Sequence, residues 1–166
     1  MLNFSFIEAT EDMCLELAHV KKQVWLTTYK GIYSDSKIED FDYSEHEKKF
    51  KKYINSQDLK LYVAVLEKKI IGYTAVGKSP HRKEKQIEIV LLYLLKEFQC
   101  KGFGKIMFEF AKNKIKQTGA KQFFVSCNKF NHNAQKFYEK MGGKIIHIDE
   151  DNEDKSLPQI TFLYEI

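Results

Sequence analysis

The run Ile87-Glu-Ile-Val-Leu-Leu-Tyr-Leu-Leu95, followed within a few residues by Gln99-Cys-Lys-Gly-Phe-Gly104, decides how this chain folds. An apolar segment this continuous reads as a central strand covered on both faces, since a strand with one wet face alternates polar and apolar side chains. Behind it two glycines let the backbone turn tightly. Successive N–H groups then converge on one spot, where the positive end of the next helix favours an anion. That helix turns Ile106, Met107, Phe110, Ala111 and Ile115 inward, and Gly119 is placed to stop it.

Upstream, the alternation Leu2, Phe4, Phe6 predicts a short first strand. Thr10-Glu11-Asp12 then caps a helix running through Leu15, Ala18, Val20, Val24 and Trp25. From Ser44 the charged stretch with Phe50, Tyr53 and Ile54 on one side reads as a second amphipathic helix ending near Asn55-Ser56. Residues 59–66 and 70–76 are β-branched and aromatic runs joined by Glu67-Lys68-Lys69, a hairpin, and the polar residues 77–85 separate them from the central strand. Downstream, 123–126 reads as a strand, 131–141 as a helix closed by Gly142-Gly143, and 144–148 and 160–164 as two last strands.

A chain of 166 residues, 43% hydrophobic and 14% aromatic, suits one domain over 1–166. No segment approaches the roughly 18 apolar residues of a membrane helix, and Met1-Leu-Asn-Phe-Ser-Phe lacks a basic leader, so a cytoplasmic location is expected. Cys14, Cys100 and Cys127 are far apart, form no C-x-x-C pair, and fit reduced thiols; His46-Glu47 is not an H-E-x-x-H, so no metal is expected. The formal net charge of +4 is spread over lysines alternating with glutamates and without an aromatic platform, which argues against a nucleic-acid surface.

Two phosphate motifs fail on the turn: Ile106 follows Lys105 where a P-loop needs Ser or Thr, and there is no G-x-G-x-x-G. Gln99-Cys-Lys-Gly-Phe-Gly104 instead resembles the Q/R-x-x-G-x-G/A signature of the GNAT acetyltransferases, although Lys96 stands where that family usually has proline. Asn131-His-Asn-Ala-Gln-Lys-Phe-Tyr-Glu-Lys-Met-Gly142 resembles the family's N-x-x-A-x-x-F-Y-E-K-x-G helix, with Gly143 replacing a frequent phenylalanine. The resemblance covers the second half of the chain; the first half matches in element order and in Trp25, Tyr29 and Gly31. It implies an α/β fold, a mixed, mainly antiparallel sheet of about seven strands flanked by helices and splayed between its fourth and fifth strands. Coenzyme A and acceptor would enter that cleft from opposite sides.

By the same resemblance the chain is an N-acetyltransferase moving the acetyl group of acetyl-CoA to a primary amine: a small amine, polyamine or peptide amine. The backbone of Leu92, Tyr93 and Leu94 would pair with the pantetheine arm, and Gln99, Cys100, Lys101, Gly102, Phe103, Gly104 and Lys105 would wrap the pyrophosphate. Asn131 either touches the coenzyme or caps its helix. Transfer needs removal of an ammonium proton, support for an oxyanion and a proton for the departing thiolate. Tyr138 matches the family's proton donor, which argues against a module that only senses acetyl-CoA. A backbone N–H near Leu94 would meet the oxyanion. Glu88, the only carboxylate in the apolar strand, is the candidate base, directly or through water, since Ser126 occupies the position where some members carry a glutamate.

Trp25, Tyr29 and Tyr33 fall in the segment that walls the acceptor site in this family, where aromatic faces hold amines by cation–π contact, though Trp25 also suits core packing. The acidic run Asp149-Glu-Asp-Asn-Glu-Asp154 reads as a solvated loop able to steer a cation. The final strands offer an edge for pairing into a homodimer.

Overall fold

Alternating and continuous apolar runs assemble into a seven-stranded sheet of order β1-β2-β3-β4-β5-β7-β6. Its strands are β1 Phe4–Glu8, β2 Leu59–Leu66, β3 Lys69–Lys78, β4 Ile87–Leu94, β5 Gln122–Asn128, β6 Lys144–Ile148 and β7 Gln159–Glu165. The computed structural model describes residues 3–79 and 86–166; Leu2 of the expected first strand and 80–85 of the expected polar stretch lie outside them. Every neighbouring pair is antiparallel except β4–β5, which is the mixed sheet expected. Glu67 and Lys68 close the β2–β3 hairpin at φ +47° and +70°, the doubly left-handed turn that suits the twist of paired strands.

Helices α1 Cys14–Thr28, α2 Asp35–Glu39 and α3 Tyr43–Ile54 precede the hairpin, and α4 Phe103–Lys116 and α5 His132–Lys140 follow β4 and β5. One core packs Leu17, Ala18 and Phe50 of α1 and α3 on Leu61, Val63 and Tyr73 of the sheet. The other packs Phe108, Ala111, Ile115 and Tyr138 of α4 and α5 on Phe123, Val125 and Phe162.

Three expectations are corrected. Leu15 is 50% exposed and Ile106 48% exposed; the buried sets are Cys14, Leu17, Ala18, Val20 and Val24 in α1, and Met107, Phe108, Ala111 and Ile115 in α4. Phe108 takes the inward place because α4 is gripped by both the sheet and α5, where Phe108 meets Phe137 at 6.0 Å and Tyr164 at 5.1 Å between ring centres. Thr10 precedes a single 3₁₀ turn, Glu11–Met13, and its side chain caps nothing.

Two irregularities of β4 shape the molecule. Ala75 and Val76 of β3 face Leu91 and Ile89, so Val90 is an extra residue, a bulge that re-phases the strand. Ile87 and Ile89 pack toward α4 and α5, while Val90, Leu91 and Tyr93 pack toward α1 and α3. The parallel pairing with β5 covers only Glu88↔Phe124 and Ile89↔Val125, and beyond it the two strands part.

Between α1 and α3, His46 is buried, stacked on Phe41 at 4.1 Å and edge-on to Trp25 at 5.2 Å, with no hydrogen bond to Nδ1. Burial first, then the ammonium charges of Lys21 and Lys49, lower its pKa from 6.5 to about 4. The unfolded chain therefore takes up a proton on acidification before the folded chain does. Stability is expected to fall as pH drops from about 6.5 towards 4, with a slope contribution of at most ~1.4 kcal/mol per pH unit. His46→Phe, which keeps the stack on Phe41, should flatten that segment of the profile in urea melts run at a series of pH values.

Candidate active site

The gap left where β4 and β5 part is the centre of the site. Leu95 N–H donates to Ile71 O at 2.9 Å, and the register sets Leu94 opposite Gly72 and Tyr93 opposite Tyr73. In an antiparallel ladder, residues alternate between facing the partner strand and facing away. Tyr93 and Leu95 therefore turn their backbone groups to β3, while Leu92 and Leu94 turn theirs toward β5, into the gap. Of the expected trio Leu92, Tyr93 and Leu94, the outer two have backbone directed at a ligand lying there, and Tyr93 offers its side chain instead. Gln99 spans back to the strand, its Nε2 donating to Leu94 O at 2.9 Å, which leaves the Leu94 N–H facing the gap.

The turn after β4 is held by Cys100 at φ +57° and Gly102 at φ +91°. Ile106 N–H is the first to close on the helix, bonding Gly102 O, so the N–H groups of Phe103, Gly104 and Lys105 have no partner within α4. Lys101 and Lys105 are exposed beside them. Free amides, a helix N-terminus and two cations converge, which fits a pyrophosphate.

On the far side of β5, Asn131 caps α5, its Oδ1 accepting from Ala134 N–H at 3.1 Å; the capping alternative holds for that oxygen. Two turns along, Tyr138 is 6% exposed, and among the described residues nothing hydrogen-bonds its hydroxyl. Burial first, then negative charge at Cys127, Tyr93, Tyr164 and Glu88, would raise its pKa well above 10.0, so it stays protonated. Those neighbours sit on β5, β4 and β7, which places the phenol at the gap. Burial pushes the Cys127 thiol to about 12, too high for a working nucleophile. Gly143 leaves room for Tyr164: a Cβ there would come within 2.7 Å of its ring, and Tyr164 Oη donates to Tyr138 O at 2.8 Å. Tyr164 thus fills the space behind α5 that Gly143 leaves open.

Glu88 is 7% exposed, beside the last paired residues of β4 and β5. Its backbone precedes Ile89, so its side chain lies on the α1 and α3 side of the sheet with Tyr53, whose pKa its charge helps raise. On that face Tyr29 Oη and Tyr93 Oη hydrogen-bond at 3.4 Å, Tyr29 stacks on Tyr33 at 4.4 Å, and Tyr33 meets Trp25 edge-on at 5.0 Å. Burial raises the pKa of Tyr29, Tyr33 and Tyr93, so these phenols are neutral. Ser126, by contrast, is occupied with Thr161 Oγ1 at 3.0 Å.

A pocket of about 390 Å³ opens between Thr28 with residues 30–32 and residues 130–133, with Lys155 from the β6–β7 loop at its rim. Sequence reasoning missed Lys30, Lys155 and the side chain of Tyr93. The first two are loop lysines with no motif around them, whereas Tyr93 was open to a count of alternate faces. Among the described residues no cluster of His, Cys, Asp and Glu is arranged to hold a metal, and no helix is long and apolar enough to cross a membrane.

Comparison with known proteins gives the same direction. The profile described as the acetyltransferase (GNAT) family matches residues 25–143. An uncharacterised N-acetyltransferase of the pepI 3′ region of Lactobacillus delbrueckii subsp. lactis is 29% identical over 85 residues, 49% of this chain and 49% of that protein, about half its length. Spermidine N(1)-acetyltransferase of Thermoplasma acidophilum is 28% identical over 139 residues, 80% of this chain and 83% of that one. The crystal structure of PaiA N-acetyltransferase from T. acidophilum with coenzyme A superposes with a TM-score of 0.77 at 19% identity, covering 99% of both chains, a likeness of fold.

Proposed function

Because the chain belongs to the acetyltransferase (GNAT) family, we propose that it transfers the acetyl group of acetyl-CoA to a primary amine within a ternary complex. The observation that carries this reading is the gap itself: β4 and β5 separate after Ile89, and the Leu92 and Leu94 backbone faces the opening. Acetyl-CoA supplies an activated thioester; Leu92 and Leu94 would hold its arm as an added strand, and residues 102–105 its pyrophosphate.

The chain's own groups then divide the work. The Leu94 N–H lies fixed in the strand and would hold the carbonyl oxygen as negative charge grows on it. Tyr138 would keep its proton on Oη until the thiolate leaves, then donate it; desolvation makes the neutral phenol the stable form there. Glu88, directly or through a water, would take the ammonium proton of the incoming amine. Tyr29, Tyr33 and Trp25 would wall the amine's path, their faces suited to an alkylammonium.

The spermidine-acetylating relative supports a polyamine as the first acceptor to try. Asp154 of the acidic loop acts electrostatically on Tyr33, so carboxylates stand near that wall. Free-thiol release from acetyl-CoA is measured against spermidine, spermine, simple alkylamines, amino acids and peptides, with coenzyme A binding followed by calorimetry. Acceptor-dependent release is expected, strongest for a polyamine. Absence of coenzyme binding would overturn the reading, and release with peptides alone would overturn the acceptor class.

A further inference from the structure

We propose that Lys21 is a site of covalent acylation: its Nζ takes the acyl group of an activated acyl donor, acetyl-CoA first among them, ahead of the exposed lysines of the chain. Lys21 lies on α1 one turn before Trp25 and is partly buried in the seam with α3. Its ammonium stands 5.7 Å from the centre of the Trp25 ring and 5.8 Å from that of Phe50, which is 2% exposed. Trp25 in turn meets the buried His46 at 5.2 Å, so the head group is ringed by aromatic side chains. Among the described residues no carboxylate pairs with it. Its neighbour Lys22 differs, donating to Ile38 O.

The groups facing Lys21 decide which form of the amine is favoured there. From α3, Lys49 adds a second cation, held by Glu45 one turn earlier, and His46 is uncharged near neutral pH. Both rings stand near the outer limit of about 6 Å for a cation–π contact, so they offset little of the lost hydration. Burial first, then Lys49, lower the Lys21 pKa from 10.5 to about 8, against an opposing pull from Glu45. A desolvated lysine beside another cation is an activated amine nucleophile. The neutral Nζ attacks the thioester carbonyl carbon, the C–S bond breaks as the amide forms, coenzyme A leaves as the thiolate, and the proton shed by nitrogen passes to water. The amide is uncharged, so acylation also removes the first of the charges acting on His46.

Incubating the full chain with acetyl-CoA and following each lysine by peptide mass spectrometry tests this. At about pH 7.5 an amine of pKa about 8 has roughly 200 times the neutral fraction of an ordinary lysine, and lower basicity and partial burial cancel part of that lead. Lys21 is therefore expected to acetylate about tenfold or more faster than the exposed Lys48 and Lys52, with its rate levelling off above about pH 8. Acetyl phosphate, a smaller donor that needs no coenzyme site, should give the same order. A Lys21 no faster than Lys48 and Lys52, or one whose rate still climbs above about pH 9, overturns the proposal. A lead seen with acetyl-CoA and lost with acetyl phosphate overturns it too, because acylation would then be turnover at the coenzyme cleft. Neither donor needs an acceptor amine, so the outcome is independent of whether the chain acetylates one.

Discussion

Replacing Tyr138 by phenylalanine is expected to lower kcat about 10²–10⁴-fold, the usual worth of a positioned proton donor, while coenzyme A affinity and thermal stability stay near those of the native chain. The ring's contacts with Phe137 at 5.4 Å and Phe162 at 5.6 Å survive the change. Nothing among the described residues hydrogen-bonds the hydroxyl, so its loss strands no partner. A merely structural tyrosine would show the opposite pattern, with melting temperature falling and turnover per folded molecule preserved. Because the phenol is held well above 10.0, the native rate should not lose this donor as pH rises through the ordinary tyrosine range. Single-turnover kinetics with acetyl-CoA and calorimetry on the same preparations decide the matter, and an undiminished kcat would remove Tyr138 from the chemistry.

The second large effect is expected at Gly72. A Cβ there would sit 2.4 Å from Tyr93 O, 3.2 Å from Leu94 Cα and 3.2 Å from Met107 Cε. The first two are backbone atoms and cannot swing aside, so Gly72→Ala must prise β3 from β4 beside the amide assigned to the oxyanion. Overpacking of this kind costs about 1–3 kcal/mol, which for a chain of this size lowers the melting temperature by roughly 3–10 °C. The kcat should also fall, because Leu94 moves with its strand. Thermal melts and steady-state rates measured together check both halves, and a melt within about 1 °C of native would refute the clash.

Much of this was legible because the decisive signals are local. The apolar run of β4, the glycines at 102 and 104 and the helix from Asn131 each announce a strand, a turn or a cap within a few neighbouring residues. Glu88 stands out in that way, as the carboxylate inside the apolar run, whereas Tyr138 becomes a candidate through the resemblance of its helix to a family motif. The bulge at Val90 was not, because a run that is apolar throughout has no alternation to interrupt. Helix α2 is only Asp35–Glu39, too short for a period to show. The hydrogen bond between Tyr29 and Tyr93 joins residues 64 apart, and it exists only once α1 has been laid across the sheet. Ile106 and Phe108 exchanged places for the same kind of reason: a helix touched on two sides has a wider buried arc than one stripe describes.

The extra residue in β4 also sets a rule of parity. Glu88 and Tyr93 are an odd number of steps apart, and in an unbroken strand they would look out from opposite faces. They share a face because Val90 adds one half-turn of phase between them. The proposed base and the tyrosine wall of the acceptor path are therefore joined by a count rather than by a contact. Substituting Val90 leaves the count intact, whereas deleting it would exile one of the two from the cleft with both of their side chains still present.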